Sequence, residues 1–248
     1  HIQLADKLMF GTQRQFVERL GGYTVLTTSI NTISTGELFV KRLFDIIGGL
    51  VGCVLPGILF LFLAPAIKIQ SPGPVFFSQI RVGKNGKKFK LYKFRSMYTD
   101  AEERKAQLAA ENRVTDGLMF KLDFDPRIIG CRQLPDGTVK KGIGNFIRDW
   151  SFDEFPQFWN VLKGDMSLVG TRPPTEDEWV RYELHHRSRL AIKPGITGMW
   201  QVSGRSNITD FEKVIELDMK YIDNWSIFED LKILGLTVKE VFSGEGSK

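Results

Sequence analysis

Hydrophobic positions are spread very unevenly along the chain. Residues 46–67 contain no charged side chain, with Lys41, Arg42 and Asp45 before the run and Lys68 after it. About 20 apolar residues rising 1.5 Å each are long enough for a bilayer core of roughly 30 Å. Pro56, beside Gly57, stands near the midpoint, where a proline removes a backbone hydrogen bond and bends a helix. The run has no polar face, which disfavours a buried helix pair in a soluble protein. The pattern predicts a re-entrant helical hairpin broken at Pro56 and dipping into one leaflet, with a full crossing as the competing topology.

Elsewhere the pattern is that of a folded domain. Residues 75–80 and 88–94 read as two strands around Asn85-Gly86, a turn signal. Residues 98–113 are rich in Ala, Glu, Lys and Gln and predict a solvated helix. Asp125-Pro126, Asp136-Gly137 and the glycines at 130, 142 and 144 mark turns, and Ile143, Phe146, Ile147 and Trp150 then recur at helical spacing. Further helices are predicted over 176–190, 210–225 and 227–242. In the last, Ile233 and Leu236 lie off the apolar stripe, which suits a helix on a membrane interface. Before residue 36 there are only short apolar pieces around Gly21-Gly22, then a Ser/Thr/Asn-rich stretch that reads as a linker. The expected fold is α+β: a mostly helical, membrane-associated compact catalytic domain over 71–248 with a small β-hairpin, a membrane hairpin over 41–70, and a remnant of an upstream region plus linker over 1–40.

Composition changes this picture little. With 42% hydrophobic and 25% charged residues among 248, the chain can bury one sizeable core and is not compositionally disordered. Cys53 and Cys131 form neither a disulfide framework nor a metal-ligand spacing, which fits a reducing, cytosol-facing environment. No charged segment followed by an apolar core opens the sequence, so no signal peptide is expected.

Charge placement says more. The net charge is +5, and Lys68, Arg81, Lys84, Lys87, Lys88, Lys90, Lys93 and Arg95 follow the apolar run with no Asp or Glu among them. Both ends of the run therefore carry the signature of the cytoplasmic side, as a re-entrant segment requires. A basic collar beside an insertion attracts anionic headgroups by about 1 kcal/mol per residue. Basic and aromatic residues do not interleave on a recognisable module, so no nucleic-acid partner is expected.

Candidate chemistry concentrates in residues 151–174. Ser151 and Glu154 have the form of a capping box, but Pro156 would then fall past the first turn. Asp153 as N-cap removes that conflict and leaves Phe155, Phe158, Trp159 and Leu162 as the apolar stripe. Either way Asp153 and Glu154 stand at a helix start, which favours ionised carboxylates and nearby phosphate by roughly 0.3–1 kcal/mol. On this evidence alone the cap reading is favoured over the catalytic one. His185-His186 is not expected to hold a metal, because adjacent side chains diverge and no third ligand is spaced for one. Lys193 and Arg205 bracket a glycine-rich loop that could hold phosphate. Asp218 falls on the apolar face of its helix, where a carboxylate needs an arginine, a lysine or a metal; a salt bridge to a core arginine and a functional role weigh equally.

Several multi-residue motifs recur together in one order. They are Lys41-Arg42-Leu43-Phe44-Asp45, Tyr92-Lys93-Phe94-Arg95-Ser96-Met97, Asp153-Glu154-Phe155-Pro156-Gln157, the run 160–170, Arg172-Pro173, and Lys193-Pro194-Gly195-Ile196-Thr197-Gly198. From about residue 38 to 242 the chain resembles the bacterial sugar transferases, the monotopic polyprenyl-phosphate sugar-1-phosphate transferases. The resemblance implies transfer of a hexose-1-phosphate, galactose or glucose first, from a UDP-sugar to undecaprenyl phosphate, with release of UMP. It implies Mg²⁺ and a covalent intermediate at the cytosolic face of a bacterial inner membrane. By the matching motif Asp153 is the nucleophile and Glu154 its acid/base or metal-organising neighbour. Arg148, Arg172 and Arg205, with Lys93 and Arg95 as weaker members, take the phosphate-binding positions. Asp218 matches an acidic position near the site and joins Asp153 as a metal candidate. Leu55-Pro56 replaces the more common Ser-Pro break, and Thr171 stands where proline is commoner. A catalytically silent membrane scaffold and a transferase for another nucleotide-activated alcohol are the competing functions, and homo-oligomerisation through the upstream remnant is left open.

Overall fold

The computed structural model describes residues 14–20, 23–29, 34–108, 122, 124–204, 208 and 210–243. Antiparallel strands β1 (Arg14–Leu20) and β2 (Tyr23–Ser29) precede the apolar run, so part of the expected linker is strand. Helix α1 (Thr35–Gln70) follows, opened by a capping box in which Ser34 accepts from Glu37 N and Glu37 accepts from Ser34 N. The helix is continuous through Pro56 and Pro65, so the predicted hairpin is corrected to a single helix. A proline removes one rung of the ladder, and the surrounding turns remain intact.

β3 (Phe76–Val82) and β4 (Lys88–Phe94) form the predicted hairpin, turning through Asn85 and Gly86, both at positive φ. Then come α2 (Ala101–Gln107), the two-residue strands β5 (Arg132–Gln133) and β6 (Val139–Lys140), α3 (Ile143–Asp149) and α4 (Gln157–Lys163). β7 (Ser167–Val169) pairs in parallel with β8 (Gly195–Thr197), with α5 (Glu176–Val180) between them. The predicted loop at 193–198 is therefore mostly strand. Its glycines serve close backbone approach, since a Cβ on Gly195 would strike the Gly170 backbone. The chain closes with α6 (Met199–Val202), α7 (Phe211–Asp223) and α8 (Ile227–Ser243). The helix expected over 176–190 stops at Val180, and a 3₁₀ segment, His186–Ala191, completes the stretch. Tyr182, His186, Arg189 and Leu190, which share the i, i+4, i+7, i+8 spacing of one face, are all buried although the stretch is not one helix.

α1 is fastened at both ends to the same folded body. Near its start Lys41 Nζ reaches Asp230 Oδ2 at 2.6 Å, Arg42 donates to the carbonyls of Val161 and Leu162 at the end of α4, and Asp45 accepts from Ser167 Oγ and Leu168 N. Towards its other end Leu63, Ala64 and Ile67 are buried with Phe94, Ile129 and Ile147. Arg95 ties the helix terminus down, donating to Ser71 Oγ, Ser71 O and Pro74 O. The outer side of α1 carries an exposed apolar stripe that includes Ile47, Val51, Val54, Ile58, Leu61 and Phe62.

Candidate active site

Asp153 and Glu154 sit on a connection built to aim them. Ser151 adopts the left-handed region (φ 54°), a 3₁₀ turn covers Phe152–Glu154, and Pro156 leads into α4. Neither predicted cap forms: Ser151 makes no side-chain cap bond and Pro156 occupies the N-cap of α4. Aromatic contacts hold the turn instead. Phe152 stacks on Trp150, meets Phe146 edge-on and touches Phe155, which touches Phe158. Phe158 in turn packs where Gly52 of α1 has no side chain.

β4 supplies the counter-charge. Asn160 on α4 donates to Lys90 O (2.6 Å) and accepts from Tyr92 N (3.2 Å), locking α4 against the β4 backbone. That junction places Lys93 Nζ 3.2 Å from Asp153 Oδ2 and 3.4 Å from Glu154 Oε1. Lys93 and Glu154 line a cleft of about 70 Å³ whose other walls include Arg81, Arg172, Gln157 and Gln201. Arg172 forks onto Glu178 with bonds of 3.1 and 3.2 Å, and Arg81 Nη1 donates to Pro173 O and lies 3.9 Å from Glu178. Burial alone would push the Glu178 carboxyl up, but Arg172 and Arg81 outweigh it and hold the group down at about 2. Arg172 is held above its usual range by Glu178, whereas burial and then the Arg172 charge lower Arg81 to about 10. Two guanidiniums share Glu178 and one ammonium shares Asp153 and Glu154, so the site sets three cations against three carboxylates, with the arginines able to fork onto an anion.

The structure thus gathers Asp153, Glu154, Lys93 and Arg172. It places the other expected residues elsewhere. Lys193 lines a different cavity, beside Arg42 and Lys84. Arg95 is buried in the α1 anchor, and Arg148 is exposed on α3, close enough to help lower the Asp125 carboxyl. Asp218 forms a fully buried pair with Arg189 at 2.5 Å, so it belongs to the core rather than the cleft. Arg205 lies outside the described residues. Arg81 and Glu178 are the cleft residues that sequence reasoning missed. A signal for Arg81 existed: the Asn85-Gly86 register pairs Phe77 with Lys93, Gln79 with Leu91 and Arg81 with Phe89, which sets Arg81 and Lys93 on one face.

Two donor sets bear on metal binding. The adjacent carboxylates of Asp153 and Glu154 are hard oxygen donors of the kind Mg²⁺ takes alongside substrate phosphates, while Asp218 is committed to Arg189. Against the sequence expectation, a third group does join the histidines: His185, His186 and Glu212 hold donor atoms within 4.8 Å of one another. Glu183 N donates to His186 Nδ1, so Nε2 carries the hydrogen and gives it to Glu212 at 2.7 Å. That tautomer makes the pair a hydrogen bond rather than a ligand set.

The sequence model of the family described as "Bacterial sugar transferase" matches residues 36–244. The chain belongs to the bacterial sugar transferase family. It is 50% identical to the galactosyl transferase CpsE of Streptococcus agalactiae serotype III over 94% of this chain and 49% of that protein. It is 41% identical to the uncharacterized sugar transferase EpsL of Bacillus subtilis, over 84% of this chain and 90% of that one. Identity to the undecaprenyl-phosphate galactose phosphotransferase of Salmonella typhimurium is 38%, over 88% of this chain and 43% of the relative. The chain therefore spans about half the length of the first and third of these sugar transferases and most of the second.

Proposed function

We propose that this sugar transferase domain moves a hexose-1-phosphate from a UDP-sugar to undecaprenyl phosphate, as an early membrane step of polysaccharide assembly, at the cytosolic face of a bacterial inner membrane. One observation carries the reading: Lys93 joins the adjacent carboxylates Asp153 and Glu154, and with Glu154 it lines a cleft that Arg81 and Arg172 also line. Galactose and glucose lead because relatives are named as galactose and glucose phosphotransferases.

The chemistry divides into two displacements. Asp153 attacks the sugar-proximal phosphorus of the donor; the new carboxylate–phosphorus bond forms as the bond to the bridging oxygen breaks and UMP leaves with that electron pair. A phosphate oxygen of undecaprenyl phosphate then attacks the same phosphorus, the carboxylate departs and Asp153 is regenerated. Lys93, 3.2 Å from Asp153, holds the nucleophile in position before attack and is in reach of the phosphoryl oxygens afterwards. Arg172 and Arg81 orient the diphosphate across the cleft. Glu154 shares Lys93 and completes the oxygen set with which Asp153 would hold Mg²⁺; bound there, the ion neutralises diphosphate charge.

The deciding experiment measures UMP release from a panel of UDP-sugars with undecaprenyl phosphate and Mg²⁺. Asp153→Asn is expected to reduce turnover by at least about 10³-fold. With donor alone, intact-mass measurement should show one hexose-phosphate adduct on the wild type and none on the variant. Full turnover by the variant would remove Asp153 as nucleophile, and no turnover with any nucleotide sugar would favour a silent scaffold.

A further inference from the structure

A second cavity, of about 250 Å³, opens between the first turns of α1, the β3–β4 turn and the α7–α8 junction, and shares no lining residue with the cleft. Lys41, Arg42, Lys84 and Lys193 all line it. Only Lys41 is neutralised, by Asp230. Arg42 gives its hydrogens to two carbonyls and keeps its charge. Lys84 and Lys193 have no hydrogen-bonding or ionic partner among the described residues. Arg42 Nη2 and Lys193 Nζ lie 3.5 and 3.7 Å from the point a Gly164 Cβ would occupy, so the two charges crowd one spot. The acid on the wall, Asp45, is engaged by Ser167 and Leu168, and nearby Asp165 pairs with Lys163. Burial and then Arg42 push the Lys193 ammonium down and Lys84 adds to this, while the carboxylates of Asp45 and Asp165 offset part of it. The remaining lining is apolar: Leu38, Ile192, Ile222 and Trp225.

Unneutralised cations drawn from three separate elements are costly to bring together unless an anion joins them. Apolar walls on the same cavity ask for an anion with a hydrocarbon body. The cavity also begins at the turns of α1 whose outer residues, Phe39, Val40 and Leu43, are exposed, so it opens beside whatever α1 rests in. We propose that this cavity holds the phosphate headgroup of an anionic membrane phospholipid, with its glycerol and first acyl carbons against Leu38 and Trp225. The proposal rests on the membrane placement of α1 stated above. It assigns Lys193 to lipid rather than to donor phosphate.

Native mass spectrometry of the full chain in non-ionic detergent, offered phosphatidylglycerol, phosphatidylcholine or inorganic phosphate, tests it without turnover. One phosphatidylglycerol should be retained at least about tenfold in preference to phosphatidylcholine. The double variant Lys84→Gln, Lys193→Gln should lower that retention at least about fivefold, while Arg172→Gln in the cleft leaves it unchanged. Lys84→Glu alone, on the β3–β4 turn, gives the same test should the double variant fold poorly. Equal retention of both lipids, or an adduct undiminished by the lysine variants, overturns the proposal. Inorganic phosphate retained as well as the lipid would make this a soluble-anion site instead. Vesicle flotation separates the underlying reading: a chain that floats but shows no lipid preference loses only the cavity assignment, whereas one that never floats loses the membrane placement too.

Discussion

At the scale of single residues, the site is governed by how its cations and carboxylates are shared. Lys93 contacts both acids of the pair, so Lys93→Met should lower turnover by about 10²–10³-fold with little change in thermal stability. Glu178 carries the opposite balance. Its folded pKa of about 2 lies below the ordinary 4.5, so it contributes stability that is fully present above about pH 4.5 and is lost as pH falls towards 2. The amount is on the order of 3 kcal/mol. Glu178→Gln should flatten the acid limb of an unfolding-versus-pH curve in that window; an unchanged limb would show that the Arg172 fork does not hold the carboxylate. Asp218 was ambiguous in sequence because period 3.6 shows that a carboxylate faces the core but not which cation awaits it. Arg189 lies 29 positions away in the 3₁₀ segment His186–Ala191, a separation that leaves no local mark in the sequence. Asp218→Asn should cost about 3–5 kcal/mol by leaving Arg189 unpaired, with no change in the Mg²⁺ concentration that gives half-maximal turnover. Lys93 and Arg95 looked alike in sequence for a related reason: strand alternation says that i and i+2 share a side, but not that β4 ends between them, where Arg95 turns to Ser71.

At the scale of elements, α1 does more than present an apolar stripe, because it also shapes the turn that carries Asp153 and Glu154. Phe158 fills the space over Gly52, and the chain of rings from Phe158 through Phe155 to Phe152 ends on the turn bearing Asp153. A methyl group at Gly52 would collide with the Phe158 ring, while one at Gly57 meets nothing within 4 Å. Gly52→Ala should therefore lower both the melting temperature and turnover, at an overpacking cost of roughly 1–3 kcal/mol. Gly57→Ala should be neutral or slightly stabilising by helix propensity. Equal effects at the two sites would show that the ring chain does not transmit packing to the catalytic turn. The hairpin β3–β4 was legible because its signals are local: Asn85 and Gly86 take positive φ where an Asn-Gly turn asks for it. The β7–β8 pair was not, since a parallel pairing across 25 residues leaves no local mark beyond glycines that also suit a phosphate loop. Lys41, Arg42 and Asp45 likewise read as flanking charge, but in the fold they are the bonds that moor α1 to β7, α4 and α8.

At the scale of the whole molecule, those moorings decide how α1 meets a membrane. A straight 36-residue helix is about 54 Å long, ample for crossing, yet residues 41–45 and 63–71 are bonded to one folded body. A crossing would have to pull α4 and β7 to one face of the bilayer and α3 and β4 to the other. The connection between α3 and α4, residues 150–156, carries Asp153 and Glu154, and burying those charges in hydrocarbon is prohibitive. The arrangement we propose instead rests the exposed apolar stripe of α1 in one leaflet; Trp150 and Trp159 are exposed too, as interfacial aromatics would be. The hairpin expected from sequence is replaced by a continuous helix, and the placement proposed from the moorings of α1 puts both ends on one side without a break at Pro56. Single cysteines at Phe39 and Ile69, which are 70% and 83% exposed, test this in a chain whose Cys53 and Cys131 are replaced by alanine. In vesicles of defined orientation, a membrane-impermeant maleimide should label both positions from the same face and neither from the other. Labelling of the two positions from opposite faces would establish a crossing and would require the contacts of α1 with β4 or with β7 to be broken in the membrane.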